Sequence, residues 1–315
     1  MPVASHAEVA RPLAGNPWIE QPFDQGAEPW PIDASINYCL SLAREHYENF
    51  PVVAGLFNRS QQEALAATYA FARTADDFAD EPHFEGQRLA LLQHWRRQLA
   101  EARAGRSGHP VMLAVVRALD EFGLDERLYG RLLDAFELDC RRNRYQTWEQ
   151  LLDYCALSAN PVGRIVLGIM GLSDRGLESC SDCLCTALQL TNHWQDLSRD
   201  LARDRLYVPR RLLQHFAVDE EQLLRRLPSG DLPGLLGELV ERTRALYRRG
   251  RPLLARAGWR YGVYFLAVFL GGRTVLQLVQ QQGPDILQRR PALGGVSLLK
   301  ALAGMVLPGG SGRKS

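Results

Sequence analysis

Apolar residues recur at helical spacing through nearly the whole interior of this 315-residue chain. From about Ile32 to about Gln282, core-type side chains return every three or four residues, and alternating strand patterns are hard to find. This spacing predicts helices over residues 33–48, 60–80, 87–104, 109–122, 126–144, 148–171, 177–203, 231–256 and 259–282. No linker rich in glycine or proline interrupts the region, so we expect an all-α fold in a single domain.

The two ends of the chain differ from this helical interior. Residues 1–31 carry repeated prolines and no apolar segment typical of a secretory signal, which predicts a proline-rich N-terminal tail. Residues 291–315 alternate apolar residues with glycine and predict a C-terminal tail. The all-α domain is therefore expected over residues 32–290.

Charge and hydropathy exclude several classes of function. The formal net charge is +1, so charge gives no reason to expect a nucleic acid partner. The longest apolar run, Tyr264–Gly272, is shorter than the roughly 20 residues that a membrane-spanning helix needs. We expect a cytoplasmic protein whose membrane contact, if it has any, is peripheral and at the inner membrane face.

Three cysteines, Cys180, Cys183 and Cys185, form a C-x-x-C-x-C motif that a zinc site could use. No matching Cys or His pair follows at zinc-finger spacing. Reduced and mostly buried cysteines are therefore the favoured interpretation, as in cytosolic proteins.

Two aspartate motifs within apolar helical stretches repeat Asp at positions i and i+4. Asp76 and Asp80 lie in A-R-T-A-D-D-F-A-D-E, and Asp196 and Asp200 lie in N-H-W-Q-D-L-S-R-D. On a helix such positions are neighbours on one face, about 5–6 Å apart, where like charges repel. A chain that carries two such pairs of like charges is expected to bind a cation between the two motifs.

Carboxylate oxygens without convergent Cys or His suit a hard cation such as Mg²⁺, which is often shared with substrate phosphates. Asn192, one turn before Asp196, can add a neutral oxygen to the same face. Such a site would neutralise the charge that develops on a diphosphate leaving group. The residues alone leave a second interpretation open, an exposed salt-bridge surface, because Arg199, Arg203 and Arg205 follow closely.

Four runs of sequence resemble the squalene/phytoene synthase family, the head-to-head prenyl transferases. They are Y-A-F-A-R-T-A-D-D-F-A-D-E (69–81), S-A-N-P-V-G-R (158–164), L-Q-L-T-N-H-W-Q-D-L-S-R-D (188–200) and R-L-Y-V-P (205–209). The similarity extends in the same order over about residues 35–285. It implies an isoprenoid synthase fold, an all-α helical bundle around a central cavity.

Within the family, the chain resembles the members that act on presqualene diphosphate. The matching features are E-N-F-P-V (48–52), A-R-T-A-D-D (72–77), S-A-N-P-V-G-R (158–164) and Gln195 before Asp196. Arg199 occupies the place before Asp200. The members that join two prenyl diphosphates more usually carry Arg and an acidic residue at those places. The resemblance therefore implies Mg²⁺-assisted ionisation, rearrangement and capture by water, which give hydroxysqualene and diphosphate.

The resemblance also implies roles for individual residues at the diphosphate end of the cavity. The metal–diphosphate cluster would be engaged by Asp76, Asp80, Asn192, Asp196 and Asp200. Arg73 would add a charge-assisted contact to diphosphate oxygens. Tyr69 and Tyr207 would line the same end, and Tyr207 joins the four aspartates as a candidate catalytic residue.

A second set of residues, in S-A-N-P-V-G-R, would face the hydrocarbon part of the substrate. Ala159, Val162 and Gly163 would let an isoprenoid chain pass close to the helix backbone, and Pro161 would kink the helix. The alternative is a helix bend needed only for packing. On local sequence alone, that alternative is favoured.

Presqualene diphosphate and water are thus the expected reactants, in squalene and hopanoid biosynthesis, with other squalene-pathway enzymes as expected neighbours. Two rival interpretations remain. The chain could be a presqualene diphosphate or phytoene synthase, or a degenerate family member acting as an assembly or scaffold protein. A degenerate member should have lost ligating carboxylates, whereas both motifs are intact here.

Overall fold

The computed structural model describes residues 30–45, 56–172 and 174–291. Nearly all of both expected tails lies outside these ranges, as does the run at 48–52. Within them, the chain forms α-helices and two short 3₁₀ helices, and its one strand-like feature is an isolated bridge between Arg144 and Leu206. The prediction of an all-α fold is confirmed.

The helices are numbered in chain order. They are α1 Ile32–Glu45, α2 Arg59–Asp80, α3 Arg88–Arg103, α4 Pro110–Phe122, α5 Arg127–Asp139, α6 Trp148–Ser158, α7 Asn160–Ile169, α8 Arg175–Gln195, α9 Leu197–Ala202, α10 Arg210–His215, α11 Glu220–Leu224, α12 Leu232–Gly250, α13 Pro252–Arg256 and α14 Gly258–Gln282. The 3₁₀ helices are Pro82–Phe84 and Gly283–Leu287.

Three stretches that were predicted as continuous helices are each divided in two. The breaks fall at Ala159, Asp196 and Arg251. Pro161 and Pro252 explain the first and third, because proline has no N–H to donate to the carbonyl one turn earlier. Asp196, with φ −91° and ψ 7°, joins α8 to α9 without a proline.

Ser60 and Glu63 have the spacing of a capping box in the sequence, but the structure caps α2 with a different pair. The cap is Asn58, whose side chain accepts the Gln61 N–H at 2.9 Å, while the Asn58 N–H donates to Gln61 Oε1 at 3.1 Å. The capping box is therefore present two residues earlier than the Ser60–Glu63 spacing indicates. The amide side chains of Asn58 and Gln61 take the roles that Ser and Glu usually take.

Two compact units make up the described chain. The first comprises residues 30–45, 56–141 and 165–172, and the second comprises 142–164 and 174–291. The expected single domain over 32–290 stays a prediction.

The first unit is built around α2, which packs against α1, α4 and α3. Phe71 of α2 lies at its centre, with ring centroids 5.8 Å from Trp95 and 5.2 Å from Tyr129. Trp95 Nε1–H donates to the Phe71 carbonyl at 3.2 Å. This core fixes the helix that carries the first aspartate motif.

The second unit is built around the pairing of α8 with α12. Trp194 Nε1–H donates to Thr243 Oγ1 at 2.9 Å, and the Thr191 and Tyr247 hydroxyls share a hydrogen bond of 3.0 Å. The later residue on α8, Trp194, thus contacts the earlier residue on α12, Thr243, so the two helices run antiparallel. Both hydrogen bonds satisfy buried polar groups in the turn that precedes Asp196.

One described stretch, Gly258–Leu287, is long and apolar enough to cross a membrane by length and composition alone. The uninterrupted apolar run at 264–272 is only part of this stretch, because α14 continues as an apolar helix past Gly271 and Gly272. Core helices of soluble proteins can meet the same criterion, but such helices are mostly buried. In this stretch, only 22% of the apolar 18-residue window is buried inside the structure.

Candidate active site

The first aspartate motif surrounds Arg73 on α2, in the first unit. The Arg73 guanidinium lies 3.4 Å from Asp76 Oδ2 and makes a closer ion pair with Asp77 Oδ1. The Asp77 side chain is 7% exposed, whereas the Asp76 side chain is 45% exposed. Asp77 therefore anchors Arg73, whereas the Asp76 carboxylate is partly exposed to solvent.

Sequence reasoning missed Asp77, although a signal was present. Arg73 and Asp77 are four residues apart, a spacing that favours an ion pair on a helix surface. The search for repeated aspartates at i and i+4 selected Asp76 and Asp80 and passed over the residue between them. Asp80, the last residue of α2, lies one turn beyond Asp76 and is half-buried.

Electrostatics keep Arg73 charged. Burial lowers the pKa of Arg73, but the carboxylates of Asp77 and Asp76 outweigh burial and the pKa ends above its ordinary value. Its Nε atom is buried and has no hydrogen-bond partner among the described residues. Arg73 can therefore donate a further bond to an anionic oxygen. Burial also raises the pKa of the nearby Tyr69 hydroxyl, which is thus neutral at physiological pH.

The second aspartate motif spans the break between α8 and α9, in the second unit. The Asp196 N–H donates to the Asn192 carbonyl at 2.8 Å, and the Asp200 N–H donates to the Asp196 carbonyl at 2.9 Å. The one-turn spacing that the sequence predicts therefore persists although the helix does not. Asn192 is exposed, and the two aspartates are half-buried.

A guanidinium already lies against Asp196. Arg290 Nε is 2.5 Å from Asp196 Oδ1, and Arg290 Nη2 is 3.2 Å from Oδ2. Arg199 Nη1 lies 3.6 Å from the same Oδ1. Asp196 is thus paired with cations from two directions, which offsets its repulsion with the other carboxylate of the motif.

Gln195 ties this arrangement to the end of the described chain. Its Nε2 donates to the Pro291 carbonyl at 2.8 Å, and its Oε1 accepts a bond from Arg290 Nη2 at 3.2 Å. The residue that the sequence analysis took as a mark of substrate choice thus also positions Arg290 beside the motif. Sequence reasoning missed Arg290, because no local pattern links residues so far apart in the chain.

Tyr207 lies in a cluster of aromatic rings. It stacks on His193 with ring centroids 3.7 Å apart, and the rings of Tyr145 and Tyr154 each lie 5.7 Å away. Burial lowers the pKa of His193 to about 3, so the imidazole is neutral at physiological pH. Because His193 follows Asn192 directly, the cluster places Tyr207 against the helix turn that carries the second motif. Sequence reasoning did not find the three partner rings.

The run S-A-N-P-V-G-R forms the junction of α6 and α7. Ala159 is the break between the helices, Val162 is half-buried and Gly163 is buried. A Cβ at Gly163 would lie 2.5 Å from both Cys185 Sγ and Ser181 Oγ. Glycine is therefore needed here for close packing against α8, which supports the packing alternative, and the role of these three residues toward an isoprenoid stays a prediction.

No three His, Cys, Asp or Glu side chains converge as a metal cage within the described ranges. The donor chemistry of the motifs still fits Mg²⁺ bound together with a diphosphate, because the ion then takes several oxygens from phosphate and water. Asp76 and Asp80, like Asp196 and Asp200, offer only oxygen, and the buried Nε of Arg73 suits a phosphate oxygen.

The cysteines are free thiols. Burial raises the pKa of Cys185 to about 12, so this thiol is protonated and a poor metal ligand at neutral pH.

Comparisons with known proteins identify the family of this chain. The family model for squalene/phytoene synthase matches residues 43–296. A hydroxysqualene synthase of Rhodopseudomonas palustris is 33% identical over 75% of this chain and 81% of its own length. A hydroxysqualene synthase of Zymomonas mobilis is 37% identical over 64% of this chain and 68% of its own length.

A solved structure shows the same fold. The crystal structure of a squalene synthase from Alicyclobacillus acidocaldarius superposes with a TM-score of 0.75 and 37% sequence identity, and covers 82% of this chain and 98% of that one. The family model covers most of the sequence, and this chain belongs to the squalene/phytoene synthase family.

Proposed function

We propose that this chain is a hydroxysqualene synthase, which converts presqualene diphosphate and water into hydroxysqualene and diphosphate. The observation that carries the proposal is the second motif. It keeps both aspartates but has Gln195 and Arg199 where condensing members of the family more usually have Arg and an acidic residue. The relatives named hydroxysqualene synthase support the same assignment.

The reaction begins with loss of diphosphate, which takes the electron pair of the breaking C–O bond. The cyclopropylcarbinyl cation rearranges to an allylic C30 cation. Water then adds to this cation and loses a proton, so no reductant is consumed. The protein must therefore bind diphosphate strongly, stabilise a cation and admit water at the last step.

Arg73 is suited to the first of these tasks. It is fixed by Asp77, stays charged, and has a buried Nε–H free to donate to a diphosphate oxygen. The neutral Tyr69 hydroxyl, one turn earlier, can donate as well. These donors are held in place before the substrate arrives, so little reorganisation is needed when the leaving group separates.

The carboxylates and Asn192 would hold the metal that enzymes of this family generally require. We assign this role to Asp76, Asp80, Asn192, Asp196 and Asp200. Bound Mg²⁺ would supply positive charge next to the departing diphosphate. Arg290 and Arg199 contribute permanent positive charge at Asp196, so the second motif does not depend on the ion alone for neutralisation.

Tyr207 and its partner rings would serve the cationic stage. An aromatic face attracts a cation through its quadrupole, and a neutral His193 adds no competing charge. Tyr207 is the ring of this cluster that the family resemblance places near the diphosphate.

We further propose that the protein works at the inner membrane face beside other squalene-pathway enzymes, because substrate and product are hydrocarbon-rich.

The assignment is tested by offering two substrates separately. Purified protein with Mg²⁺ and no NADPH is incubated with presqualene diphosphate or with farnesyl diphosphate. We expect hydroxysqualene from the first and no turnover of the second. Consumption of farnesyl diphosphate without consumption of presqualene diphosphate would instead show a condensing enzyme.

A further inference from the structure

An excess of arginine is concentrated in one part of a nearly neutral chain. Between Glu241 and Asp285 there is no acidic residue, while the net charge of the whole chain is only +1. The same segment carries Arg242, Arg244, Arg248, Arg249, Arg251, Arg256, Arg260 and Arg273. This segment covers the second half of α12 and all of α13 and α14.

Several of these arginines have no carboxylate partner among the described residues. Arg242, Arg244 and Arg256 form ion pairs with Glu238, Glu241 and Asp174 respectively. In contrast, Arg248, Arg249 and Arg251 are exposed, and none forms an ion pair or a side-chain hydrogen bond with another described residue. Their charge is therefore available to an anionic surface.

Exposed apolar side chains lie close to these arginines. Trp259 in the first turn of α14 is 86% exposed, and Val263, one turn later, is 50% exposed. Positions four apart share one face of a helix, so the two side chains project together. Because the Trp259 side chain packs so little against the protein, few contacts are lost if it inserts into a lipid layer.

The arginines and the apolar pair occupy the same end of the second unit. Arg251 and Ala257 flank α13, whose five residues span about 7.5 Å, and α14 begins directly after Ala257. The turn of α13 packs closely on α14, since a Cβ at Gly262 would lie 2.5 Å from the Leu254 carbonyl oxygen. We call Arg248, Arg249, Arg251, Trp259 and Val263 the α12–α14 patch.

We propose that the α12–α14 patch docks the protein on a bilayer surface that contains anionic phospholipid. Indole rings favour the interface between headgroups and hydrocarbon, and arginines are attracted to an anionic leaflet. Two apolar side chains offer little area for a protein partner, whereas three unpaired arginines complement phospholipid charge. The biological reason for docking, access to a membrane-dissolved substrate, rests on the proposed function, but the binding itself does not.

The test is vesicle flotation of the full-length protein without substrate. Vesicles are made of phosphatidylcholine alone or with roughly a third of phosphatidylglycerol, a negatively charged lipid. We expect partitioning onto the anionic vesicles only, weakened by added salt. Replacing all three arginines (R248Q/R249Q/R251Q) should reduce the partition coefficient on the order of 100-fold, and Trp259→Ala should reduce it at least about tenfold.

A matched control separates the patch from net charge. Arg97, Arg211 and Arg225 are also exposed and free of ion pairs with described residues, so R97Q/R211Q/R225Q changes the net charge equally. This control should partition like the unmodified protein. The proposal is overturned if the control loses as much binding as the patch variant, if the patch variant binds normally, or if the unmodified protein floats with neither vesicle.

A parallel assay keeps this proposal distinct from the proposed function. Turnover of presqualene diphosphate dispersed in detergent should be equal in the unmodified protein and the patch variant, because the patch lies outside the residues assigned to catalysis. Absence of turnover in both, with vesicle binding intact, would contradict the enzyme assignment alone. Normal turnover without vesicle binding would contradict the patch alone.

Discussion

Asp76 and Asp77 are adjacent in sequence, but their carboxylates lie in different environments. Asp77 is buried against Arg73, while Asp76 is half-exposed. We predict that Asp77→Asn lowers the free energy of unfolding by about 1.5–3 kcal/mol, the usual contribution of a hydrogen bond to a charged group. Asp76→Asn should change it by less than about 0.5 kcal/mol, yet reduce turnover strongly.

Urea denaturation and steady-state turnover of the two variants together check this division. Each variant is the control for the other, because the chemical change and the local sequence are the same. Equal loss of stability in both would contradict the structural role of Asp77. Full activity of Asp76→Asn would contradict the ligand role of Asp76.

His109 gives the first unit a pH dependence. Burial, helped by the nearby His94, lowers the pKa of His109 to about 3, and its Nδ1 caps α4 by accepting the Val111 N–H at 3.2 Å. The unfolded chain takes up this proton near pH 6.5 and the folded chain does not, so stability falls as pH decreases below 6.5. At pH 5 the loss should be about 2 kcal/mol.

His109→Asn isolates this effect, because asparagine can cap the helix and does not titrate. The variant should lose less stability than the unmodified protein between pH 7 and pH 5, as measured by urea denaturation at each pH. Parallel pH profiles for the two proteins would show that His109 is not the source.

At this scale, sequence reasoning could identify the aspartates from their spacing, but not the partners that define their environments. The pair of Arg73 and Asp77 could have been predicted from its i, i+4 spacing. The contact of Arg290 with Asp196 could not, since it depends on how the chain returns to α8 after α14. Tertiary contacts of this kind leave no periodic trace in a sequence.

Among the helices, α7 packs closely against α8 at Gly163. Gly163→Ala would press its Cβ against Cys185 and Ser181, so we predict a loss of about 1–3 kcal/mol in the free energy of unfolding. Gly237→Ala on α12 is the matched control, because nothing lies within 4 Å of its Cβ position.

The control variant should gain about 0.4–1 kcal/mol, since alanine restricts the unfolded chain and favours helix. Thermal unfolding of both variants measures the difference. Equal effects at the two positions would show that α7 and α8 are not closely packed at Gly163.

The helices themselves were largely predictable from apolar spacing, and most boundaries fall within a few residues of the expected ones. The breaks at Ala159 and Arg251 follow from prolines that the sequence analysis treated as kinks or left within a helix. The break at Asp196 has no such signal. There the Asp196 side chain forms an ion pair with Arg290, and the backbone of Asp196 is not helical. The Asp200 N–H still donates to the Asp196 carbonyl.

For the whole molecule, binding of a metal–diphosphate complex should stabilise the fold. Inorganic pyrophosphate with Mg²⁺, at about 100 times its dissociation constant, should add about 2.7 kcal/mol to the free energy of unfolding. Neither component alone should reach this value if the ion and the anion bind together. Differential scanning fluorimetry measures the shift of the melting temperature.

Asp76→Asn and Asp196→Asn should each reduce this stabilisation, because each removes a proposed metal ligand. Asp153→Asn is a control on an exposed carboxylate outside both motifs and should respond like the unmodified protein. A full shift in either motif variant would contradict the assignment of that motif to the metal–diphosphate complex.

The most direct test of the central claim is the origin of the product oxygen. Presqualene diphosphate is incubated with the protein and Mg²⁺ in ¹⁸O-labelled water, without NADPH, and the alcohol is analysed by mass spectrometry. Capture of a carbocation by water predicts hydroxysqualene that carries the solvent label. An unlabelled alcohol would mean that the P–O bond, and not the C–O bond, is cleaved, and this result would contradict the account.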